Sequence, residues 1–405
     1  MGLIKDMMTN DVIAALNIIN ELLNNESYFI DNELMDIICY HLNSLYFDFN
    51  LRHIIQANLM INADFGYKII VLRNRLNRLM CNILKINDDD ECINKYKNIL
   101  LPSFSFDDIE SGKYSSFFDS LVGLDFKIPS IGAYIPQGFI IYKNYVIISA
   151  YLNKTYHKGL NSCLFIINNN GVILKKVELA NCPNVHLGGI LYDSINNLLW
   201  ICDRNAYISS YDFNQVIDLE GNFIIEKIRS IDVGGVGTKT VNASYMTYFN
   251  RKIYVGTFNS SLSEYGIVKS FDVLSDGTID LNSVLEFYVS PQVQGLAFVS
   301  RDGLDYIVIS CSFGRRNDSW IEAFLYSGES RNYASRGVYK NLDGLIGTQK
   351  MPAMIEGISV KKVGNRLLLL SIYESMAFQY NYDPNNMPSS VIDYICTNDL
   401  DLLLK

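Results

Sequence analysis

The sequence predicts an N-terminal α-helical bundle followed by an all-β, five-bladed β-propeller. Three observations support this α+β, multidomain arrangement. The spacing of apolar residues is helical up to about residue 100 and strand-like from Tyr134 onward. A phrase in which a glycine opens an apolar run recurs roughly every fifty to sixty residues. Each copy is followed by a second apolar run of strand length. We therefore divide the chain into residues 1–100, a linker over 101–133 and a propeller over 134–405.

The helical part is clearest in the segment FGYKIIVLRNRLNRLMCNILKI. Its apolar residues fall on one helical face, and its basic residues lie mostly off that face. Several helices with such stripes would pack as a small bundle. The basic residues are open to two interpretations, a solvated surface or a contact with an acidic protein partner. The segment LPSFSFDDIESGKYSS that follows is typical of a linker.

The repeated phrases identify the innermost strands of the blades. They read IPQGFIIY, HLGGILYD, ASYMTYFN, VQGLAFVS and IEGISVKK, and we align them on Gly138, Gly189, Tyr245, Gly295 and Gly357. A lone four-stranded sheet leaves two apolar faces uncovered, whereas sheets stacked in a ring cover each other. Glycines near the start of the inner strands fit this geometry, because backbones converge at the axis.

The closure of the ring has two solutions at the level of sequence. The segments MAFQYNY and VIDYIC could supply the outer strands of the last blade. Alternatively, LDFKIPS, which precedes the first repeat and lies in the linker, could return to close the ring. Between two blades, DVGGVGTKT superficially suggests a phosphate-binding loop, but its spacing does not match one, so we predict a flexible connection.

Convergence of equivalent residues at the hub gives the candidate site. The start of each inner strand and the end of each second strand would surround one mouth of the ring, which brings together Gln137, Tyr151, His186, Asp203, Ser244, Gln294, Arg315, Glu356 and Glu374. Glu356 and Glu374 could form a carboxylate pair for acid–base work or for a hard cation such as calcium. His186 could move a proton, and Arg315 could hold a carboxylate or phosphate.

Three hypotheses on function follow. The first is a ligand-binding protein whose polar funnel takes a small polar molecule, a peptide end or a sugar. The second is a hydrolase or acyl-transfer enzyme, with Glu356 as general base and Arg315 or His186 stabilising developing charge. The third is a rigid protein-interaction scaffold, which predicts a channel filled with side chains. The helical domain would serve as the contact for a protein partner.

The composition limits the partners and the cellular location that we expect. A net charge of −9 argues against a nucleic-acid partner, since phosphate binding needs concentrated Lys and Arg. No apolar run reaches the roughly 18 residues of a membrane span. The start of the chain has no pattern of a secretory signal, and the eight cysteines are scattered in the manner of buried thiols. We expect a cytoplasmic protein without a membrane span.

The repeated phrases together resemble a bacterial five-bladed propeller family of poorly defined activity, related in fold to lactonase-like and quinoprotein-like propellers. The resemblance covers about residues 134–398 and implies the fold rather than a reaction. A looser likeness is to plant-type and bacterial glutaminyl cyclases, which are five-bladed and open with a phrase containing QG, here Gln137–Gly138. That family carries a catalytic glutamate in an EGL phrase of the second blade. This chain has HLGG there, and its EGI phrase, Glu356–Ile358, lies in the last blade.

Overall fold

The structure is a computed structural model that describes residues 114–153, 159–168, 171–377, 380 and 388–405. Residues 124–405 form one compact unit. The predicted helical bundle over residues 1–100 lies outside the described residues, and the bundle stays a prediction. Within the described part, no helix is long and apolar enough to cross a bilayer.

The described residues form a five-bladed β-propeller, as the repeats predict. The first blade contains β2 to β5, at Tyr134–Tyr142, Tyr145–Leu152, Asn161–Asn168 and Ile173–Pro183. The second contains β6, β7, β8 and β10, at Ile190–Asp193, Leu198–Cys202, Tyr207–Asp212 and Arg229–Asp232. The third contains β11 to β14, at Tyr245–Phe249, Lys252–Gly256, Gly266–Val273 and Ile279–Val289. The fourth contains β15 to β18, at Val293–Arg301, Leu304–Cys311, Ser319–Tyr326 and Leu345–Met351.

The fifth blade draws its strands from both ends of the described chain. It begins with β19 and β20, at Ile355–Val363 and Arg366–Tyr373. Its third strand is β21, Tyr394–Asp399, and its fourth is β1, Leu121–Lys127, which follows the short helix α1, Ser115–Ser120. The closure therefore uses the end of VIDYIC and most of LDFKIPS together. A 3-10 turn, Glu374–Met376, follows β20, and most of MAFQYNY lies outside the described residues.

Within each blade, strands that follow one another along the chain pair antiparallel. The second strands read as continuous apolar runs because neighbouring blades cover both of their faces; in β3, for example, every residue after Tyr145 is buried. Apolar clusters fill the spaces between successive blades, with Trp200 in the cluster between the second and third. The five cysteines of the described part, Cys163, Cys182, Cys202, Cys311 and Cys396, are buried thiols, as predicted.

Two connections add to the ring. After the short helix α2, Phe213–Ile217, the chain forms β9, Ile224–Ile225, which pairs in parallel with β5 and so ties the second blade to the first. The predicted flexible segment around residues 233–241 is in fact anchored. The ammonium of the buried Lys269 donates to the carbonyls of Val233, Gly234 and Val236 inside this loop.

Candidate functional site

The backbones of neighbouring inner strands lie in close contact around the axis. A β-carbon added to Gly138 would lie 3.0 Å from the carbonyl oxygen of Gly188 in the next blade, and one added to Gly357 would lie 3.2 Å from that of Gln137. An added β-carbon on Gly295 would likewise lie 3.1 Å from the carbonyl oxygen of Glu356. The glycines of the repeated phrase are therefore required by contact between the backbones of adjacent blades.

Above these glycines the hub opens into a cavity of about 490 Å³, which we call the cup. The residues just before the glycines line it, because a residue that precedes this backbone contact still has room for a side chain. All of the predicted site residues except Asp203 line the cup, namely Gln137, Tyr151, His186, Ser244, Gln294, Arg315, Glu356 and Glu374. The convergence predicted from the repeats is thus present in the structure.

Asp203 does not line the cup. It follows the last residue of β7, and its carboxylate accepts hydrogen bonds from Ser209 Oγ at 2.7 Å and Lys227 Nζ at 2.8 Å. Burial raises the pKa of Asp203, but the hydrogen bonds from Lys227 and Ser209 outweigh it, so the pKa is lowered from the usual value. This carboxylate is held in a structural ion pair within the second blade and is not available to a ligand in the cup.

The centre of the cup is a pair of carboxyl groups. Glu356 lies at the start of β19 and is 4 % exposed; Glu374 follows the end of β20 and is half-buried. The two side chains share a hydrogen bond. Two ionised carboxylates in hydrogen-bonding contact would repel each other. One of the two groups therefore retains a proton and donates it to the other in a hydrogen bond.

The surroundings of the pair are unequal. Glu374 Oε2 accepts a hydrogen bond from Gln137 Nε2 at 3.1 Å and another from Tyr380 Oη at 3.2 Å. Burial raises the pKa of Glu374 to about 7, and the donors Tyr380 and Gln137 and the charge of Arg315 limit that rise. The pKa of Glu356 is raised well above the usual value by burial and by the charge of Glu374. Glu374 is therefore the ionised member and Glu356 the protonated one.

Aromatic rings extend this hydrogen-bonded group. Tyr151 shares a hydrogen bond with Tyr380, which itself donates to Glu374, and the Tyr151 ring stacks on His186 at 3.9 Å between centroids. The Arg315 guanidinium lies 4.5 Å above the centre of the Tyr380 ring. Burial, followed by the charge of Glu374, raises the pKa of both tyrosines, so both remain protonated donors. Desolvation by the surrounding protein lowers the pKa of His186, although part of its imidazole ring remains exposed to solvent in the cup.

Several lining residues are absent from the sequence prediction. Tyr380 belongs to MAFQYNY, which the sequence suggests as an outer strand, but the residue lies outside every described strand and contacts Glu374, Tyr151 and Arg315. Phe258 and Phe313 face each other across 6.1 Å between ring centroids, and both line the cup. Each follows the end of a second strand by two residues, in the loops that the sequence predicts to surround the mouth of the ring. Their apolar character is the reason that a search for polar groups missed them.

The backbone next to the cup is conformationally unusual. Leu187, Gln292 and Met354 have φ of 56°, 64° and 69°, and each lies just ahead of the inner strand of its blade. The left-handed region is costly for residues other than glycine, and such residues concentrate at functional sites. Residues in the left-handed region thus lie just ahead of the inner strands of three blades, next to the cup, as is typical of a functional site.

The described residues contain no group of three or more His, Cys, Asp or Glu side chains placed to hold a metal ion. In the cup, only Glu356 and Glu374 offer carboxylate ligands. Calcium usually takes six to eight oxygen ligands, so this pair alone does not make a calcium site of the ordinary kind.

Neither a protein-family model nor a curated protein matches the chain. Solved structures that it resembles include an α-L-arabinofuranosidase from Clostridium thermocellum, with 10% identity and a TM-score of 0.38 over 63% of this chain and 87% of that one. A GH43 enzyme from Xanthomonas citri has 10% identity and a TM-score of 0.38, over 70% of this chain and 91% of the other. The GH32 β-fructofuranosidase of Bombyx mori has 11% identity and a TM-score of 0.39, over 72% and 64%.

Likenesses at this level of identity and superposition carry no argument about a reaction or a ligand. The likenesses to lactonase-like propellers, quinoprotein-like propellers and glutaminyl cyclases stay predictions from the sequence. Function is therefore argued from the geometry of the cup alone.

Proposed function

We propose that the cup binds a small polar molecule, such as a sugar or the end of a peptide. The observation that carries this proposal is the hydrogen-bonded carboxyl pair, with Glu356 buried and Glu374 half-buried, in a solvent-accessible cavity of about 490 Å³, the size of a small-molecule site. Burying two carboxyl groups side by side costs folding free energy. A protein that needed only a stable hub would fill it with apolar side chains.

The mixed lining also favours a ligand of this class. Gln137, Gln294 and the carboxyl pair supply donors and acceptors, while Phe258 and Phe313 supply an apolar wall. Small-molecule sites combine a few convergent polar groups with apolar surface in this way. The scaffold hypothesis predicts a hub filled with side chains, and the open cup argues against it.

Binding is tested by calorimetric titration of the full chain with glucose, glucosamine, N-acetylglucosamine and the dipeptide Ala-Ala. At least one probe is expected to bind, and Gln294→Ala is expected to weaken that binding about tenfold. Gln215→Ala is the matched control, because Gln215 is exposed on α2, away from the cup. If no probe binds, or if Gln294→Ala leaves every affinity unchanged, the cup is not the binding site proposed here.

A second candidate is an acid–base enzyme, favoured by the inequality within the pair. Because Glu374 receives the hydrogen bonds of Gln137 and Tyr380, it is the better general base, and Glu356 is the better acid. The sequence hypothesis had given the role of base to Glu356. The two carboxyl groups are also hydrogen-bonded to each other, whereas a two-carboxylate glycosidase separates its pair by about 5 to 9.5 Å. Hydrolysis of esters or amides, or a glutaminyl-cyclase-like acyl transfer, fits this candidate better.

The enzyme candidate is tested with p-nitrophenyl esters and an N-terminal glutaminyl peptide as substrates. Turnover should rise with pH through about 7, as Glu374 ionises. Glu374→Gln should reduce kcat at least about a hundredfold, whereas Gln215→Ala should leave it unchanged. Absence of turnover with every substrate, or equal activity in Glu374→Gln, removes acid–base catalysis by the pair.

A further inference from the structure

The charges that line the cup do not balance. Its described lining contains two carboxyl groups, Glu356 and Glu374, and one guanidinium, Arg315. Arg315 lies against the Tyr380 ring and acts on Glu374. His186 does not supply a second positive charge at neutral pH, because its pKa is lowered. The pair instead satisfies itself by retaining a proton.

The three buried carboxylates of the described part outside the cup all have complete partners. Asp193 accepts from the backbone N–H groups of Ile195 and Asn196 and from Asn196 Nδ2, and the other two carboxylates pair with cations. Asp203 accepts from Lys227 at 2.8 Å, and Glu322 accepts from Arg336 at 3.0 Å. Each of these two groups has a cation within hydrogen-bond distance, as buried charges in proteins generally do. In Glu356 the nearest ionisable partner is a second carboxyl group. The cup is therefore short of one positive charge relative to these sites.

The walls of the cup suit a cation with an apolar body. The stacked rings of Tyr151 and His186 lie on one side, and Phe258 and Phe313 lie across from each other in the same cavity. Faces of aromatic rings attract ammonium groups and pack against apolar carbon. An ammonium group has three donors, which the oxygens of two carboxylates can accept.

On the basis of the proposed ligand-binding function, we infer that the ligand carries a primary ammonium group, which enters between Glu356 and Glu374 and displaces their shared proton. The step balances: the protonated ligand binds, both carboxylates become ionised, and one proton leaves to solvent. With Arg315, the occupied cup then contains two positive and two negative charges. A neutral ligand would leave the proton where it is.

The inference is tested by calorimetric titration with matched pairs of probes at pH 7, glucosamine against glucose and ethanolamine against ethylene glycol. In at least one pair the amine should bind about tenfold more tightly than its neutral partner. Repeating the titration in buffers of different ionisation enthalpy should show release of about one proton per amine bound. Because protons are released, amine affinity should rise between pH 6 and pH 7.

The decisive variant is Glu356→Gln, which keeps the size of the side chain and its hydrogen bond to Glu374 but carries no shared proton. It should abolish proton release and reduce the preference for the amine about tenfold or more. Glu264→Gln, at an exposed position outside the cup, is the matched control and should change neither. Native circular dichroism of each variant verifies that it is folded.

The outcomes separate this inference from the proposed function. If neutral probes bind as tightly as amines and Gln294→Ala weakens them, the cup is a binding site and the ammonium inference is wrong. Amine binding without proton release, or unaffected by Glu356→Gln, also overturns the inference. Failure of every probe to bind overturns both.

Discussion

Glu322 and Glu356 show that burial alone does not determine the fate of a carboxyl group. Glu322 lies on the third strand of the fourth blade and Glu356 on the inner strand of the fifth, and they are 0 % and 4 % exposed. Glu322 accepts hydrogen bonds from Ser290 at 2.6 Å, from Ser335 at 2.8 Å and from Arg336 at 3.0 Å. Glu356 faces the carboxyl group of Glu374 and has a strongly raised pKa. Identical side chains thus form an ion-paired cross-link in one blade and a carboxyl pair that retains a proton in the next.

The partners explain the difference. Ser335 and Arg336 belong to the long connection between β17 and β18, so Glu322 fastens that connection to the interior of the fourth blade. Glu356 fastens nothing, and its side chain lines the cup. A buried charge with complete partners serves the fold, whereas one with incomplete partners reduces stability and marks a functional site.

The largest expected effect is loss of the satisfied carboxylate. Glu322→Gln would leave Arg336 near a neutral amide and replace an acceptor by a donor facing Ser290 or Ser335. We expect the free energy of unfolding to fall by about 3 kcal/mol, as when one partner of a buried ion pair is removed. Urea unfolding monitored by tryptophan fluorescence measures it. A loss below about 0.5 kcal/mol would show that the two glutamates are not as different as the contacts indicate.

The pH dependence of stability is the next test. A carboxyl group with a raised pKa binds its proton more tightly in the folded state than in the unfolded state, so its stabilising effect is present at low pH and is lost as pH rises. For Glu374 this loss runs from about pH 4.5 to about pH 7 and continues above that for Glu356. We expect on the order of 2 kcal/mol, allowing for the solvent contact of Glu374. Urea midpoints measured from pH 5 to pH 8 would show the decline.

Substitution of Glu356 should change the free energy of unfolding in the opposite direction to substitution of Glu322. At pH 8 the folded protein keeps Glu356 protonated beside Glu374, although the same group is ionised in the unfolded chain. Glu356→Gln removes the cost of retaining that proton while the amide still donates to Glu374, so we expect a gain of about 1 to 2 kcal/mol in the free energy of unfolding. The decline in stability with pH should become shallower in the same variant. Equal urea midpoints for Glu356→Gln and the unsubstituted protein at pH 8 would contradict the cost that we assign to the retained proton.

The sequence predicts the features of the fold and the site that follow from the repeated phrases. Gly138, Gly295 and Gly357 recur because backbones touch at the axis, so the repeat predicts the ring, the cup and the polar residues just ahead of each glycine. It cannot predict the role of Tyr380, which donates to Glu374 from outside the described strands. Asp203 occupies a predicted hub position, but Lys227 and Ser209 of its own blade hold its carboxylate elsewhere. Local partners of this kind leave no periodic signal.

The unequal roles within the carboxyl pair were also beyond the sequence. Glu356 and Glu374 are equivalent as letters, and only the placement of the donors Gln137 and Tyr380 on one of them separates an acid from a base. A residue's partners at long range decide its charge state.

The smallest expected effect comes from two buried uncharged residues, Ser310 and Ser371, of which only one has a hydrogen-bond partner among the described atoms. Ser310 Oγ, on the second strand of the fourth blade, donates to the backbone carbonyl of Glu356 at 2.9 Å. Ser371, on the second strand of the fifth blade, is equally buried, but its hydroxyl has no hydrogen-bond partner among the described atoms. We expect Ser310→Ala to cost about 1 kcal/mol and Ser371→Ala almost nothing, measured as shifts in the urea midpoint.

The same pair of variants also tests the cup. Because Ser310 holds the backbone of Glu356, its loss should loosen the carboxyl pair and lower the preference for an amine probe over its neutral partner about threefold, whereas Ser371→Ala should preserve it. A stability loss in Ser310→Ala with unchanged preference would show that the seam between the fourth and fifth blades stabilises the ring without positioning Glu356. If both variants lose stability equally, an ordered water satisfies Ser371, and the contrast between partnered and unpartnered buried groups is limited to the charged side chains.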